Sequence, residues 1–337
     1  MSPSLSSNRQ TALLALLFIS LAILLAIADR APIHLEKRYP SALIKEEFTF
    51  YLDGVINKTL PGPFVYRVLI PYSVTALHSM APVLSPMNVD LFLKIIILIV
   101  CQASFYLYSR LFLSPIASLA GVFILDCLVG FTLSSIQGPS IIETSDLLNM
   151  AIYSLALISL YKDSLRYFCL ILFIGTFNRE STWMILPILF ISDFIHRRGP
   201  WRSILACLAV GIPYVGMRLV IGSDAPAWVT LEGIVRNIPF LATEHTGEAL
   251  MANVHVAVLL GPLLILALMN FKSHPEFLRV TSSIVPLFIV IHYIAGWIIE
   301  TRLWMPLFVI LIPLALNTLT KTFGSAVPDA HLPPGSP

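Results

Sequence analysis

The stretch 167–191, YFCLILFIGTFNRESTWMILPILFI, decides the fold because it is long and apolar enough to enter a membrane yet carries ionisable residues at its centre. These are Arg179 and Glu180, preceded by the polar Asn178. Charged groups are costly at membrane depth, so such residues indicate a functional site and require a partner close by. The arginine and the acid are adjacent, and each is a candidate partner for the other.

The composition of the whole chain agrees with a membrane protein. Of the 337 residues, 57% are hydrophobic and 12% are charged, about half the charged fraction of a soluble domain. The sequence predicts an all-α polytopic transmembrane helical bundle of about 8 to 11 membrane segments with no soluble domain. The net charge of +2 gives no reason to expect a nucleic-acid partner. The apolar runs cover residues 11–28, 89–109, 116–134, 147–161, 167–191, 203–222, 255–271, 281–299 and 303–319.

The chain divides into one long domain and a tail. Residues 1–320 are predicted to form a single transmembrane domain, in which 29–88 is a non-cytoplasmic loop with interfacial helices. Within that loop, 66–84 is either an interfacial helix or a weak span. Residues 321–337 are rich in Pro, Gly and Ser, which predicts a disordered C-terminal tail.

The orientation follows from lysines and arginines in short loops, which favour the cytoplasmic side. Arg198 belongs to the strongest basic cluster, and Lys272 and Lys321 mark two further basic loops. These loops predict a multi-pass protein with both termini in the cytoplasm. A bacterial cytoplasmic (inner) membrane is the expected location.

The loop with Lys162 and Arg166 constrains the stretch 167–191. If that loop is also cytoplasmic, the stretch must enter and leave on the same side. At ~1.5 Å per residue it is too short for two spans of a ~30 Å core. A broken, re-entrant pair of short helices turning at 175–180 is therefore favoured over a single tilted span. Broken helices occur at membrane depth only where they line an enclosed or watery cavity.

The hairpin gathers the remaining acids and arginines toward the non-cytoplasmic face. Arg67 opens an apolar helix, where its planar fork either binds phosphate or reaches lipid headgroups. Arg302 follows Glu300 at the start of another apolar run and repeats the chemistry of the hairpin turn. Together these arginines suggest an anion clamp.

Three further acids are secondary candidates. Glu143 and Asp146 fall in the predicted loop 137–146 and are interpreted as solvated rather than catalytic, and Asp29 follows the first apolar run. No histidine or cysteine spacing fits a metal site, so no metal and no tightly bound cofactor are expected. A divalent cation stays an open alternative.

Residues 47–71 carry a family resemblance. EFTFY at 47–51, followed by PFVYRVLIP at 63–71, resembles the first large outer loop of GT-C-type glycosyltransferases, in the mannosyltransferase branch that uses lipid-phosphate sugars. In that family an acid of this loop is the proposed general base, and the match places it at Glu47. Asp53 and Asp29 are alternatives. The chain departs by having Glu47 where the family has Asp, Phe50 where it has Trp, and no following Ile-Ala or His-Gly-Tyr element.

The resemblance and the charges together imply an inverting glycosyltransferase at the non-cytoplasmic face. Its partners would be a lipid-phosphate sugar donor, a glycan, lipid or protein acceptor, and membrane lipids. A base must take the proton of the acceptor hydroxyl, and fixed arginines would stabilise the phosphate leaving group. The alternatives are a transporter or flippase of an anionic lipid or glycan, and a non-catalytic subunit of an envelope assembly complex. The roles expected are: base, Glu47 or Asp53; donor phosphate, Arg67, Arg179, Arg302, Tyr66 and Asn178; orientation of the arginines, Glu180 and Glu300.

Overall fold

A computed structural model describes residues 14, 16–25, 41–60, 62–134, 140–222, 237–238, 246–296, 298 and 300–324. Within these residues the chain is helical, with turns and short loops between the helices and no strand. The predicted all-α class is confirmed. Asp29, Gln137, residues 325–337 of the predicted tail and most of the loop 223–245 lie outside the described residues. Residues 321–324 belong to the last described helix, so the prediction of a disordered tail is wrong at these four positions.

Thirteen α-helices follow one another in the described chain. They are α1 (Leu16–Leu25), α2 (Ser41–Ile56), α3 (Leu69–Met80), α4 (Pro86–Ser109), α5 (Pro115–Ser134), α6 (Ser140–Tyr161), α7 (Leu165–Asn178), α8 (Leu186–Ile195), α9 (Trp201–Ile221), α10 (Thr246–Leu268), α11 (Glu276–Ser282), α12 (Ile284–Ala295) and α13 (Met305–Gly324). Short 3-10 helices cover Phe64–Tyr66, Glu180–Ile185, Phe271–Ser273 and Thr301–Trp304.

Seven segments of the described chain are long and apolar enough to cross a membrane. They are α4, α5, α6, α9, α10, the consecutive helices α11 and α12, and α13 with its preceding 3-10 turn. In α6 and α13, 83% of the apolar window is buried, whereas in α9 the share is 22%. Helices α6 and α13 therefore form the centre of the bundle, and α9 lies at its lipid-facing edge.

The bundle has two distinct ends. At one end, which we call the site end, the third turn of α4 and the first turn of α6 meet through Lys94 and Glu143, whose side chains are 2.8 Å apart. At the opposite end, the ring of Phe112 after α4 packs on Tyr161 at the end of α6, with centroids 5.2 Å apart. Helices α4 and α6 therefore run in parallel from the site end.

The basic loops gather at the opposite end, which we call the basic end. His196 lies 3.9 Å from Glu276, so the loop after α8 meets the start of α11. Lys321, near the end of α13, donates to the backbone oxygen of Ser273. Lys162 and Arg198 belong to the same end, because the loop after α6 contacts the loop after α8.

Helices α7 and α8 form the predicted re-entrant hairpin. Asp163, just before α7, pairs with Arg198 at 2.7 Å and with Arg202 at 2.6 Å, both after α8. The two arms therefore begin and end at the basic end. With 14 residues, α7 is about 21 Å long, shorter than the ~30 Å core that a full span must cross.

Two boundaries differ from the sequence-based expectation. The segment 66–84 contains the 12-residue helix α3, which lies between Arg67 and the start of α4 and so stays at the site end. It does not span. The predicted loop 137–146 is wrong in its second half, because α6 begins at Ser140 and residues 141–147 are buried. Helix α6 begins before its purely apolar part because the residues at its start are buried against α4.

Candidate functional site

The tip of the hairpin, residues 178–180, is held against α6 by polar contacts. Helix α7 ends at Asn178, and Arg179 adopts an extended conformation with φ −151° and ψ 138°. The Asn178 side chain donates to the Ser145 backbone oxygen at 2.8 Å, and the Tyr153 hydroxyl donates to that of Ser181 at 2.9 Å. These hydrogen bonds satisfy polar groups at the break between two helices. Such groups need partners within the protein when they lie at membrane depth. They also make the fully buried Asn178 a structural residue rather than a phosphate ligand.

Arg179 pairs with Asp146 of α6. The two side chains are in direct contact, and their residues are 5% and 2% exposed. Asp146 also lies 3.7 Å from Nε of Arg302, and Arg302 in turn donates to Glu300 at 2.9 Å through Nη2. One buried carboxylate thus bridges two arginines from distant parts of the chain. The interpretation of Asp146 as a solvated loop acid is wrong, because it begins α6 facing the hairpin.

Glu180 pairs with Arg67 rather than with its neighbour Arg179. Nη2 of Arg67 donates to Oε1 of Glu180 at 3.3 Å. The guanidinium of Arg67 also lies 5.0 Å from the ring centroid of Phe64, within the 3-10 helix Phe64–Tyr66. The expectation that Glu180 orients Arg179 is therefore corrected. Consecutive residues in an extended segment point to opposite sides, so the two charges of the tip find separate partners.

The charge balance fixes the ionisation of Glu180. Burial raises the pKa of its carboxyl group, but the positive charges of Arg67 and Arg179 outweigh burial and hold the pKa below its ordinary value. Glu180 is therefore an ionised carboxylate at neutral pH. It can accept a proton.

A cavity of about 380 Å³ opens at this network. We call it the arginine cavity. Charged and aromatic residues both line its wall, a combination suited to a ligand with a polar and an apolar part. Its charged lining residues are Arg67, Arg179, Glu180, Arg218 and Glu300. Its ring-bearing lining residues are Phe64, Trp183, Tyr214 and His292.

Arg218, in the last turn of α9, enters the cavity from the lipid-facing edge of the bundle. Its guanidinium carbon lies 3.6 Å from the ring centroid of Tyr214 and 4.4 Å from that of Tyr66. The cation is thus held between two rings, an arrangement that arginine favours. Tyr66, expected to contact the donor phosphate, instead has a buried hydroxyl and uses its ring to hold Arg218.

The candidate bases of α2 lie outside the arginine cavity. Glu47 is exposed, one turn before the buried Tyr51, whose ring centroid is 6.2 Å from that of Phe64. Asp53 lies on the opposite face of α2, where it lines an open groove of about 560 Å³ together with Glu46. A residue two positions after Tyr51 points almost directly away from it on a helix. Asp53 therefore faces away from the arginines, whereas Glu47 is on the side of the helix that faces them.

The remaining acids stabilise the bundle itself. Glu143 is 5% exposed and pairs with the fully buried Lys94 of α4. Asp126 of α5 accepts two hydrogen bonds from Gln102, at 3.1 and 3.0 Å. These buried acids join neighbouring helices of the core and are separate from the cavity lining. The sequence-based interpretation of Glu143 as solvated is therefore wrong, as it is for Asp146.

Sequence reasoning missed Arg218, Tyr214 and His292 among the residues that line the cavity. Arg218 stands near the end of the apolar run 203–222, and Tyr214 precedes it by one helical turn. An arginine one turn after an aromatic residue at the end of a span is a signal that the sequence does contain. His292, which lines the cavity beside the buried Trp304, had no such signal because it lies within an apolar run.

Metal binding finds no support in the described part of the chain. No group of three or more His, Cys, Asp or Glu side chains there could hold a metal ion. The acids of the cavity contact arginines instead.

Comparison with protein-family models, with curated proteins and with solved structures finds no match to this chain. A function is therefore inferred from the geometry of the arginine cavity.

Proposed function

We propose that this protein is a membrane glycosyltransferase that uses a polyprenyl-phosphate sugar and resembles GT-C-type enzymes. The observation that supports the proposal best is the arginine cavity. Arg67, Arg179 and Arg218 line it, and Arg302 pairs with Glu300, which also lines it. Because the basic loops lie at the other end of the bundle, the positive-inside rule favours a non-cytoplasmic cavity. A sugar borne on a membrane lipid would reach it from the bilayer.

The chemistry of transfer requires a fixed positive site. In the proposed step, the bond between the anomeric carbon and the phosphate oxygen breaks, and its electron pair stays on the phosphate. An acceptor oxygen forms the new bond to carbon from the opposite face and gives its proton to a carboxylate. The phosphate gains negative charge as this occurs, and preorganised guanidinium groups in a low-dielectric cavity stabilise that charge.

Glu180 is the best-placed base in this proposal. A base must reach the acceptor hydroxyl within hydrogen-bond distance, and Glu180 and Glu300 are the carboxylates that line the cavity. Glu300 receives two bonds from Arg302, at 3.3 and 2.9 Å, whereas Glu180 receives one bond from Arg67, at 3.3 Å. Glu180 is therefore held by fewer hydrogen bonds from arginine than Glu300. Glu47 remains the competing candidate.

The experiment is donor turnover by the purified full chain in detergent, where no compartments exist. A panel of polyprenyl-phosphate sugars is offered with mixed acceptors, and water serves as the fallback acceptor. A transferase releases polyprenyl phosphate, and the release depends on Glu180. A transporter releases none.

A transporter is the second candidate, because transporters also place broken helices and charges within the membrane. It is tested with the same donors in reconstituted vesicles. Translocation of the intact lipid that requires Arg179, with no sugar released in detergent, would replace the transferase proposal. If neither activity is found, a non-catalytic role in an assembly complex is left.

A further inference from the structure

Arg218 differs from the other arginines of the cavity in its partners. Arg67, Arg179 and Arg302 each contact a carboxylate. Among the described residues, Arg218 contacts two aromatic rings and the backbone oxygen of Tyr214 at 3.4 Å, and no carboxylate lies within ion-pair distance. A guanidinium has several N–H donors, so most of the hydrogen-bonding capacity of Arg218 is left for a ligand.

The position of Arg218 on α9 points toward lipid. The buried face of this helix includes Ala206, Val210 and Met217. Its lipid-facing side exposes large apolar residues, among them Ile212 and the 80% exposed Leu219. Arg218 lies on the strip between these faces, one turn from the end of a candidate span. That depth is where lipid headgroups meet the hydrocarbon of the bilayer.

The same strip of α9 leaves room for a lipid chain on the side of Arg218 that faces the basic end. Tyr214 lies one helical turn before Arg218 in the chain, and Gly211 lies about two turns before it. A side-chain carbon added at Gly211 would find no atom within 4 Å. A lipid tail could therefore run along this strip of α9 while its headgroup reaches the cavity.

The charges around the cavity nearly cancel. Among the described residues, four arginines stand against three carboxylates, which leaves one positive charge. The arginines are Arg67, Arg179, Arg218 and Arg302, and the carboxylates are Asp146, Glu180 and Glu300. One excess positive charge in a buried site matches one negative charge, which is the charge of a phosphate diester. A diphosphate carries more negative charge than this site compensates.

From these observations we infer that Arg218 is the residue that contacts the phosphate of the ligand, and that the ligand is a singly charged lipid phosphodiester. Tyr66 and Tyr214 are positioning residues that fix the plane of the guanidinium. Arg67, Arg179 and Arg302 shape the cavity, and each is already paired with a carboxylate. The inference rests on the proposed function only for the identity of the group that the phosphate carries.

The test is direct binding of farnesyl methyl phosphate, a lipid phosphodiester, to the purified full chain in detergent. Farnesol, inorganic phosphate and farnesyl diphosphate are the comparison probes. Arg218→Gln is expected to weaken binding of the diester by about 10- to 100-fold, the effect of losing a hydrogen bond to a charged group. It should also reduce the dependence of affinity on salt. Arg166→Gln, which removes an exposed arginine at the basic end, is the matched control and should bind normally.

Two further variants keep the inference testable if Arg218→Gln does not fold. Arg218→Lys keeps the charge but loses the planar group that stacks between the rings, so it should recover only part of the affinity. Tyr214→Leu keeps the charge and removes one ring, so binding should weaken several-fold. Full affinity in both of these variants, or in Arg218→Gln, overturns the role of Arg218.

The probes decide the ligand class separately. If inorganic phosphate or farnesol binds as tightly as the diester, the ligand is not a lipid phosphate. If farnesyl diphosphate binds more tightly than the diester, the ligand is not restricted to a single negative charge. If Arg218→Gln loses binding while the wild type never transfers sugar, the inference stands and the transferase proposal fails. If the wild type transfers sugar and Arg218→Gln binds normally, the transferase proposal stands and the inference fails.

Discussion

Asp146 lies in direct contact with Arg179, and the same carboxylate is 3.7 Å from Arg302. A residue of the central helix α6 thereby joins the tip of the re-entrant hairpin to the segment that precedes α13. Breaking a buried ion pair by removing one partner is strongly destabilising, at about 3–5 kcal/mol, because a charge is left uncompensated. Asp146 should therefore matter more to the fold than the acids that line the cavity.

A double-mutant cycle between Asp146 and Arg179 is the first prediction. The changes Asp146→Leu and Arg179→Met should each destabilise the protein, and the double change should recover part of the loss. We expect a coupling energy of about 1 to 3 kcal/mol, as found for residues in one buried network. The same cycle between Arg179→Ala and Glu180→Ala should show weaker coupling, because the charges of these neighbours act on each other but each residue makes its ion pair elsewhere. Thermal unfolding in detergent measures both, and stronger coupling within the 179–180 pair would contradict the pairing described here.

The second prediction concerns the base. Glu180→Gln keeps the shape of the side chain but cannot accept a proton, so turnover of a lipid-phosphate sugar should fall by about 10² or more. Donor affinity should change little, because the site still holds its arginines. The measurement is kcat and donor affinity for the purified variant.

Variants of α2 provide the comparison for that experiment. Asp53→Asn is expected to be nearly neutral, because Asp53 faces the outer groove rather than the arginine cavity. Glu47→Gln should have a smaller effect than Glu180→Gln. If Glu47→Gln abolishes turnover while Glu180→Gln leaves it intact, the base is Glu47 and α2 must approach the cavity during the reaction.

The third prediction is a pH dependence. The charges of Arg67 and Arg179 hold the pKa of Glu180 below its ordinary value, against burial, which raises it. Turnover should therefore persist at neutral pH and fall only as acid protonates Glu180. In Arg67→Gln one lowering charge is lost, so the pKa rises and the acid limb of kcat/KM should move to higher pH. An acid limb that stays in place would show that Glu180 is not the titrating base.

The fourth prediction tests the packing of the hairpin. A side-chain carbon at Gly175 would lie 2.8 Å from Cγ2 of Thr182 and 2.9 Å from Cγ2 of Ile152. Gly175→Val should therefore push the hairpin tip away from α6, with a loss of about 1–3 kcal/mol. Ligand affinity should fall with it. Gly261→Ala, in the open surroundings of α10, is the control and should not be destabilised. Stability and affinity of the Gly175 variant equal to wild type would contradict the described contact.

The fifth prediction is topological. In a chain whose four cysteines are replaced by serine, Lys58→Cys and Lys162→Cys introduce single thiols near the site end and at the basic end. A membrane-impermeant maleimide should label Lys58→Cys only from the non-cytoplasmic side and Lys162→Cys only from the cytoplasmic side. Labelling of Lys162→Cys from outside would reverse the proposed orientation.

Much of the fold could be predicted from the sequence because its cues are local. Hydropathy runs marked the spans, and the basic loop around Lys162 favoured a hairpin over a single tilted span in residues 167–191, which the ion pairs of Asp163 confirm. The contact between Arg302 and Glu300 also lies within one turn. Each of these inferences depended on residues close together in the chain or on the length of one segment.

The partners of the tip could not be predicted, because they come from distant helices. Arg179 and Glu180 looked like a pair by adjacency, yet the extended backbone at the tip sends them to Asp146 and Arg67. Asp146 looked solvated because polar residues precede it. Only the packing of α6 against α4 and the hairpin shows that this polar stretch is the buried start of a helix.

The bridge at Asp146 has a consequence for biosynthesis. The carboxylate and Arg179 are made while the chain is still growing, but Arg302 comes from the segment before the last described helix. Until that helix inserts, the carboxylate has only one of its two cationic neighbours. A nascent chain that stalls before α13 would therefore hold an unfinished ion network inside the bilayer. Such a chain should be recognised by membrane quality control and degraded, so that partial copies with a half-built cavity do not accumulate.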